Sequence, residues 1–233
     1  MHDWLTHPTR LPLVAPSILA ADFAMLGDES RAALDAGADL LHLDVMDGHF
    51  VPNLTMGPDA CAAIRRHLPE AVLDTHLMVE HPDRFFEPFA RAGANAISFH
   101  VEVLPEGDEE AVVRAWVQHL HDLGCAAGLV INPPSELRPD MFDLFAACDY
   151  ALVMSVNPGF AGQAFMPEVL EKVRRLRLEL GPQARIEIDG GISPTTAPAA
   201  RDAGADMLVA GSAIFGHDRS AWAEIIAAIR DGR

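Results

Sequence analysis

Residues 35–44 read DAGADLLHLD, and the same grammar returns as RAGANAISFH at 91–100 and as DAGADMLVAG at 202–211. In each copy a helical pattern ends, the chain turns on a glycine suited to a left-handed cap, and a short apolar run follows. The copies start 56 and 111 residues apart, and the 221 residues from Leu13 to the end hold about eight units of 28. The three therefore stand as units two, four and eight of an eightfold series, with DLGCAAGLVI at 122–131 as unit five. Strands are predicted near Leu13–Ser17, Leu40–Asp44, Val72–Leu77, Ala96–His100, Ala126–Ile131, Tyr150–Met154, Arg185–Asp189 and Met207–Ala210. Helices fill the gaps, for example Glu110–Leu123 and Pro167–Leu180, and Pro58, Pro82, Pro167 and Pro194 stand where helices would start. Strand alternating with helix implies a parallel sheet. Eight such units closing on themselves make an α/β fold of the TIM (β/α)8 barrel type. The alternative, an open doubly wound sheet, lacks its G-x-G-x-x-G fingerprint after the first strand. The expected organisation is one barrel domain over residues 13–233, preceded by a flexible amino-terminal arm, residues 1–12.

Composition narrows the class. Half of the 233 residues are hydrophobic, enough for one sizeable core. No apolar run approaches the roughly 20 residues that cross a bilayer, and MHDWLTHPTR has no apolar segment of the signal-peptide kind. Cys61, Cys125 and Cys148 are odd in number and form no C-x-x-C pair, so they read as buried thiols of a reducing, cytoplasmic setting. A net charge of −17 argues against nucleic acid or an anionic membrane as partner. An anionic substrate would then have to be held locally, by backbone amides or a metal.

A barrel of this kind presents its functional face at the carboxyl ends of its strands. His42 and Asp44 end the second predicted strand, His76 the third and Asp189 the seventh. Side chains alternate along a strand, so His42 and Asp44 share a face, as do Asp74, His76 and Met78, and Glu187 and Asp189. Two imidazoles and two carboxylates that converge can hold a divalent metal, with carboxylates beside it to move protons. Four unrelated polar core residues would each carry a burial cost of roughly 2–7 kcal/mol if unpartnered, and more if charged. A second constellation is glycine-bearing: Gly159, Phe160, Ala161 and Gly162 after strand six, Gly190 and Gly191 after strand seven, Gly211 and Ser212 after strand eight. Three such loops at adjacent strand ends point to phosphate recognition by amides, although each alone would also serve as a tight turn.

The segments APSILAADF, HLDVMDGHFVPN, HLMVEHPDRF, MSVNPGFAGQAF, IDGGI and VAGSAIF, in that order from about Ala15 to Phe215, resemble the signature segments of the ribulose-phosphate 3-epimerase family. The resemblance implies a metal-dependent TIM barrel of pentose phosphate metabolism that interconverts D-ribulose 5-phosphate and D-xylulose 5-phosphate. It implies that His42, Asp44, His76 and Asp189 ligate one divalent ion, with Asp44 and Asp189 as the acid/base pair. Ser17 and His76 would touch the ketose phosphate, and residues 159–162, 190–191 and 211–212 would bind its phosphate. Two histidines and two carboxylates suit Zn²⁺ first, with Fe²⁺, Mn²⁺ or Co²⁺ as alternatives. A homo-oligomer is neither required nor excluded by these residues. The sequence departs from the family's pattern at Ala20 and at Ala161, which stands where a glycine is common; Ala161 keeps its amide provided its φ is negative.

The chemistry accounts for the residue types. Epimerisation at C3 takes a proton from beside the C2 ketone and returns one to the opposite face. The resulting enediolate needs its charge stabilised, which a Lewis-acidic metal does, and inversion needs two bases on opposite faces. A shared site can set two carboxylates apart so that one is protonated when the other is not. The only lysine, Lys172, lies in the helical EKVRRLRLEL, so no lysine is available at a strand end for Schiff-base chemistry. Met46, Met78 and Met154 are read as core fillers that the resemblance would place beside the substrate. His100 is read as either site wall or core histidine, Glu187 as a deeper structural hydrogen-bonder, Asp47 as a turn residue, and His119 and His121 as surface residues. Two rivals share the geometry: a 3-epimerase of a longer ketose phosphate such as allulose 6-phosphate, and a non-catalytic barrel that senses a sugar phosphate.

Overall fold

The computed structural model describes residues 2–232. Among them, eight strands form one parallel sheet: β1 (Leu13–Pro16), β2 (Leu41–Met46), β3 (Leu73–Met78), β4 (Ala96–His100), β5 (Ala126–Ile131), β6 (Tyr150–Met154), β7 (Arg185–Asp189) and β8 (Met207–Ala210). Their order is β1-β8-β7-β6-β5-β4-β3-β2. The ring is completed between β1 and β2 by a single parallel bridge, Ser17↔His42. Every strand residue is buried, as expected for strands covered on both faces. Helices run between the strands: α2 (Leu26–Asp35), α3 (Pro58–His67), α4 (Phe86–Ala92), α5 (Glu109–Asp122), α6 (Phe142–Ala146), α7 (Leu170–Leu180), α8 (Ala197–Ala203), α9 (Ser212–Phe215) and α10 (Trp222–Asp231). The main apolar core lies between this helical shell and the outer face of the ring, with Leu43, Leu77, Phe99, Leu129 and Ile188 facing outward.

Predicted and observed strands coincide for β4 to β8. β2 and β3 each run to a methionine past the expected end, because the ladder continues through the register pair Met46↔Met78. The strand predicted to end at Ser17 ends at Pro16, and Ser17 survives as the isolated bridge.

The repeated DAGAD grammar has a physical cause. Its last side chain accepts a hydrogen bond from the amide of a residue on the preceding strand: Asp39 from Val14 at 2.8 Å, Asn95 from Leu73 at 2.9 Å, and Asp206 from Ile186 at 2.8 Å. Asp149 does the same for Ala127 at 2.7 Å, completing a fourfold rule for β2, β4, β6 and β8. An arginine from the helical shell clamps three of these turns: Arg230 on Asp39, Arg65 on Asn95 and Arg177 on Asp206. The glycine is needed because the helix ends with φ of +105° at Gly93 and +108° at Gly204. A Cβ at either would also press on the clamping arginine, at 2.7 Å and 2.9 Å.

Of residues 2–12, within the stretch expected as a flexible arm, Leu5 is buried while most of the residues after it are exposed. Their one-turn helix α1 (Asp3–Thr6) places Leu5, 1% exposed, beneath the amino-terminal mouth of the ring against Leu13, Leu40, Ala96, Ala126, Tyr150 and Met207. Arg185 Nε donates to the Leu5 carbonyl at 2.7 Å, tying the segment to β7. The apolar floor of the ring needs a cover, and Leu5 supplies one.

Candidate active site

Above this floor the interior of the ring turns polar. His42 and Asp44 on β2, His76 on β3 and Asp189 on β7 bring one donor atom each to within 4.8 Å of one another. His42 and His76 are fully buried, Asp44 is 5% and Asp189 9% exposed. The register pairs Asp44 with His76, and the strand alternation read from sequence turns both inward.

His42 and Asp44 are each held by a neighbour. Asp74 Oδ2 stands 2.7 Å from His42 Nδ1. The Tyr150 hydroxyl donates to the other Asp74 oxygen at 2.7 Å. That reach requires Gly128 on the neighbouring strand, since a Cβ there would lie 2.3 Å from the Tyr150 ring. With Nδ1 so engaged, His42 Nε2 points into the cluster, buried and without a hydrogen-bond partner. Ser17 Oγ donates to Asp44 Oδ2 at 2.5 Å. His76 Nδ1 lies 3.3 Å from Asp44 and 3.8 Å from Asp189.

The site's own charges set these groups apart. Burial works against a charged carboxylate at Asp44, but the charge of nearby His42 and the contact with His76 outweigh it and hold the carboxyl well below its usual range. Asp189 gains no such contact, and burial together with the Asp44 charge pushes it up to about 8. Burial likewise opposes a charge on His42, yet Asp74 and Asp44 raise it well above its ordinary value. His76 is pushed down to about 4, chiefly by burial, and is neutral. The cluster can hold a metal ion. An orphaned imidazole nitrogen, two carboxylates and a neutral second imidazole in a negatively biased, buried cradle fit a divalent cation, and the carboxylate behind His42 is the arrangement that orients a ligating histidine.

One cavity connects Asp44, Asp189 and Ser17 with the three glycine loops, and Met46, Met78 and Met154 line it, so these are site-wall residues as well as core. Gly159 (φ +136°), Gly162 (+78°), Gly190 (+122°) and Gly191 (+63°) adopt left-handed backbone, whereas among the described residues none other than glycine does; Ala161 therefore needs no such conformation. Asn53 and Gln163 occupy the carbonyls of Asn157, Gly159 and Phe160, while the amides of 159–162 find no acceptor among the described residues. Ser212 opens α9, with Gly211 as its cap. Ala20 lies against the Gly211 turn.

The second-rank residues sort cleanly. Asp47 is a turn residue, accepting from the amides of His49, Phe50 and Glu80. His119 and His121 are exposed on α5. Glu187, expected as a hydrogen-bonder, makes none: both its oxygens are buried without a partner, 3.5 Å or more from His42 Nδ1, and burial pushes it up to about 8, so it is neutral over most of the pH range. Sequence reasoning missed the Asp74–Tyr150 support and the contact of Glu102 with His100. Asp74, one layer below His76, and a glycine inside the β5 run were the available signals.

A TIM barrel whose strand ends gather two histidines and two carboxylates beside glycine-rich loops belongs to the class of barrel enzymes that work on a small molecule at their carboxyl-terminal face. Comparison with known proteins makes this specific. A family model described as the ribulose-phosphate 3 epimerase family matches residues 13–215. The chain is 46% identical to the ribulose-phosphate 3-epimerase of Synechocystis over 225 residues, covering 95% of this chain and 94% of that one. It is 47% identical to that of Serratia marcescens, covering 88% and 95%. It is 48% identical to that of Escherichia coli, covering 87% and 88%. The chain belongs to the ribulose-phosphate 3-epimerase family. The solved structure of 3-hexulose-6-phosphate synthase from Salmonella typhimurium, 18% identical, superposes with a TM-score of 0.67 over 93% of this chain and 97% of that one, and shows the shared barrel fold. No described helix is long and apolar enough to cross a membrane.

Proposed function

We propose that the chain interconverts D-ribulose 5-phosphate and D-xylulose 5-phosphate by moving protons at C3, with His42, Asp44, His76 and Asp189 holding one divalent ion, zinc by preference. The observation that carries this is the single cavity into which Asp44, Asp189 and the three glycine loops all open. Asp44 and Asp189 come from β2 and β7, on either side of β1 and β8, so a sugar carbon between them meets one carboxyl on each face. Their opposite settings suit proton transfer across that carbon. Asp44, the carboxyl held low by its surroundings, is placed to accept a proton, and Asp189, the carboxyl pushed up by burial, to give one. Ser17 fixes one oxygen of Asp44 and so its angle of attack. The three methionines exclude water beside the reacting carbon without offering a competing proton. The amides of 159–162, 190–191 and 211–212 hold the phosphate without a lysine or arginine. The ion, when bound, supplies Lewis-acid stabilisation of negative charge on the sugar oxygens.

Incubating the zinc-loaded protein with ribulose 5-phosphate in D₂O tests this: xylulose 5-phosphate labelled at C3 should appear. Asp44→Asn and Asp189→Asn should each abolish interconversion, and same-face exchange of the C3 proton is compatible with the one base that remains. Retention of metal and near-normal interconversion in both variants would sink the two-base assignment.

A further inference from the structure

The two histidines of the cluster are supported differently. His42 leans on a single carboxylate, Asp74. Behind His76 stands a second imidazole, its Nε2 2.8 Å from His100 Nε2, and the rings lie nearly parallel with centroids 5.0 Å apart. His100 Nδ1 in turn lies 3.0 Å from Glu102 Oε2. His76 and His100 are fully buried, and Phe50 packs on the His100 ring from the other side.

Proton positions along this row are not independent. Two imidazole nitrogens at 2.8 Å need one proton between them: none leaves two lone pairs in opposition, and two leaves two N–H groups in collision. Glu102 decides where it sits. Its Oε1 accepts from the Asn132 amide at 2.9 Å and from the Ser135 hydroxyl, leaving Oε2 for His100. Burial would raise this carboxyl, but the hydrogen bonds from His100, Ser135 and Asn132 hold it below its ordinary range, so it is an acceptor only. The 132–135 loop is itself fixed by Lys172 on α7, which donates to the carbonyls of Asn132, Pro133 and Ser135 at 2.6, 2.9 and 2.6 Å. An acceptor at Glu102 places a proton on His100 Nδ1. With one proton on each ring, His100 Nε2 is then a lone pair, His76 must donate from Nε2, and His76 Nδ1 is left with a lone pair facing Asp44 and Asp189.

We propose that His100 and Glu102 are positioning residues that act through His76, fixing its tautomer and ring so that Nδ1 is ready to ligate the ion. This rests on the reading that the cluster holds a divalent cation. It assigns a use to the chain's only lysine as well, as the outer anchor of the row.

The test uses the full chain loaded with Zn²⁺, without any sugar. In histidine ¹⁵N-labelled protein, long-range ¹H–¹⁵N spectra should show the proton on Nε2 of His76 and on Nδ1 of His100; the reverse tautomers would overturn the proposal. Zinc affinity, measured against a chromophoric chelator, should weaken about 10–100-fold in Glu102→Gln and in His100→Phe. Ser135→Ala should weaken it less. Folded variants that all keep the parent's zinc affinity within about twofold would overturn it too, since losing such a support ordinarily costs more. Should the variants fail to fold, the spectra of the unmutated protein decide alone. A chain that binds no zinc overturns both this row and the metal reading. One that shows these tautomers and losses but does not epimerise overturns only the proposed function.

Discussion

Asp44 and Asp189 are the same side chain set to opposite proton states by what surrounds them. His42 and His76 hold one carboxyl low while Ser17 bonds to it, and burial beside an existing negative charge pushes the other up. At the other end of the cavity the atoms proposed to bind the phosphate belong to no side chain at all: they are the loop amides. A carboxylate placed among them should therefore be felt as charge. Gly162 has open space around its missing Cβ but a φ of +78°, so Gly162→Ala measures the strain of substitution and Gly162→Asp measures strain plus repulsion. The Asp variant should raise KM for ribulose 5-phosphate by about 10–100-fold over the Ala variant, equivalent to about 1.4–2.7 kcal/mol. Equal KM values in the two would remove the phosphate from this loop.

At the scale of elements, the fourfold rule that ties each even-numbered strand to the one before it makes a stability prediction. Asp206→Ala leaves the Ile186 amide buried without its acceptor and frees Arg177, and should cost about 2–4 kcal/mol. In a chain of this size that lowers Tm by about 5–12 °C, with Asp149→Ala lowering it less because Asp149 is more exposed. A melting curve of Asp206→Ala indistinguishable from that of the unmutated protein would contradict this. Three of the four units carrying the rule were legible in the sequence, since glycine, acid or amide, and apolar run recur in step. The unit before β6 was not, because Ala147 and Cys148 replace the glycine pattern while Asp149 keeps the function. The four clustered donors were legible for a related reason: each ends a strand, and a barrel gathers strand ends. The supports behind them were not, because Tyr150 reaching Asp74 and Glu102 reaching His100 depend on which strands stand side by side and on how far a side chain extends. The burial of Leu5 was not legible for want of periodicity: one apolar residue in a polar stretch leaves no pattern to read.

For the whole molecule, charge is the dominant long-range fact. At −17 the protein repels the dianionic sugar it is proposed to bind, and its attraction resides in short-range amide and metal contacts. Salt should screen the repulsion more than the contacts. kcat/KM for ribulose 5-phosphate should therefore rise between about 10 and about 150 mM chloride, over which the screening length falls from about 30 to about 8 Å. A steady fall would mean that a local positive field steers the substrate after all. The seam of the ring has its own consequence. β1 and β2 meet through one backbone bridge and the bond from the Asp39 amide to the Val14 carbonyl, and side chains add to the stitching, Asp39 to the Val14 amide below and Ser17 to Asp44 above. The proposed ion draws on β2 and β3 on one side of that seam and on β7 on the other. In that proposal the ion works as a clasp across the most sparsely bonded joint of the barrel, so filling the site should stiffen the ring where its backbone does least.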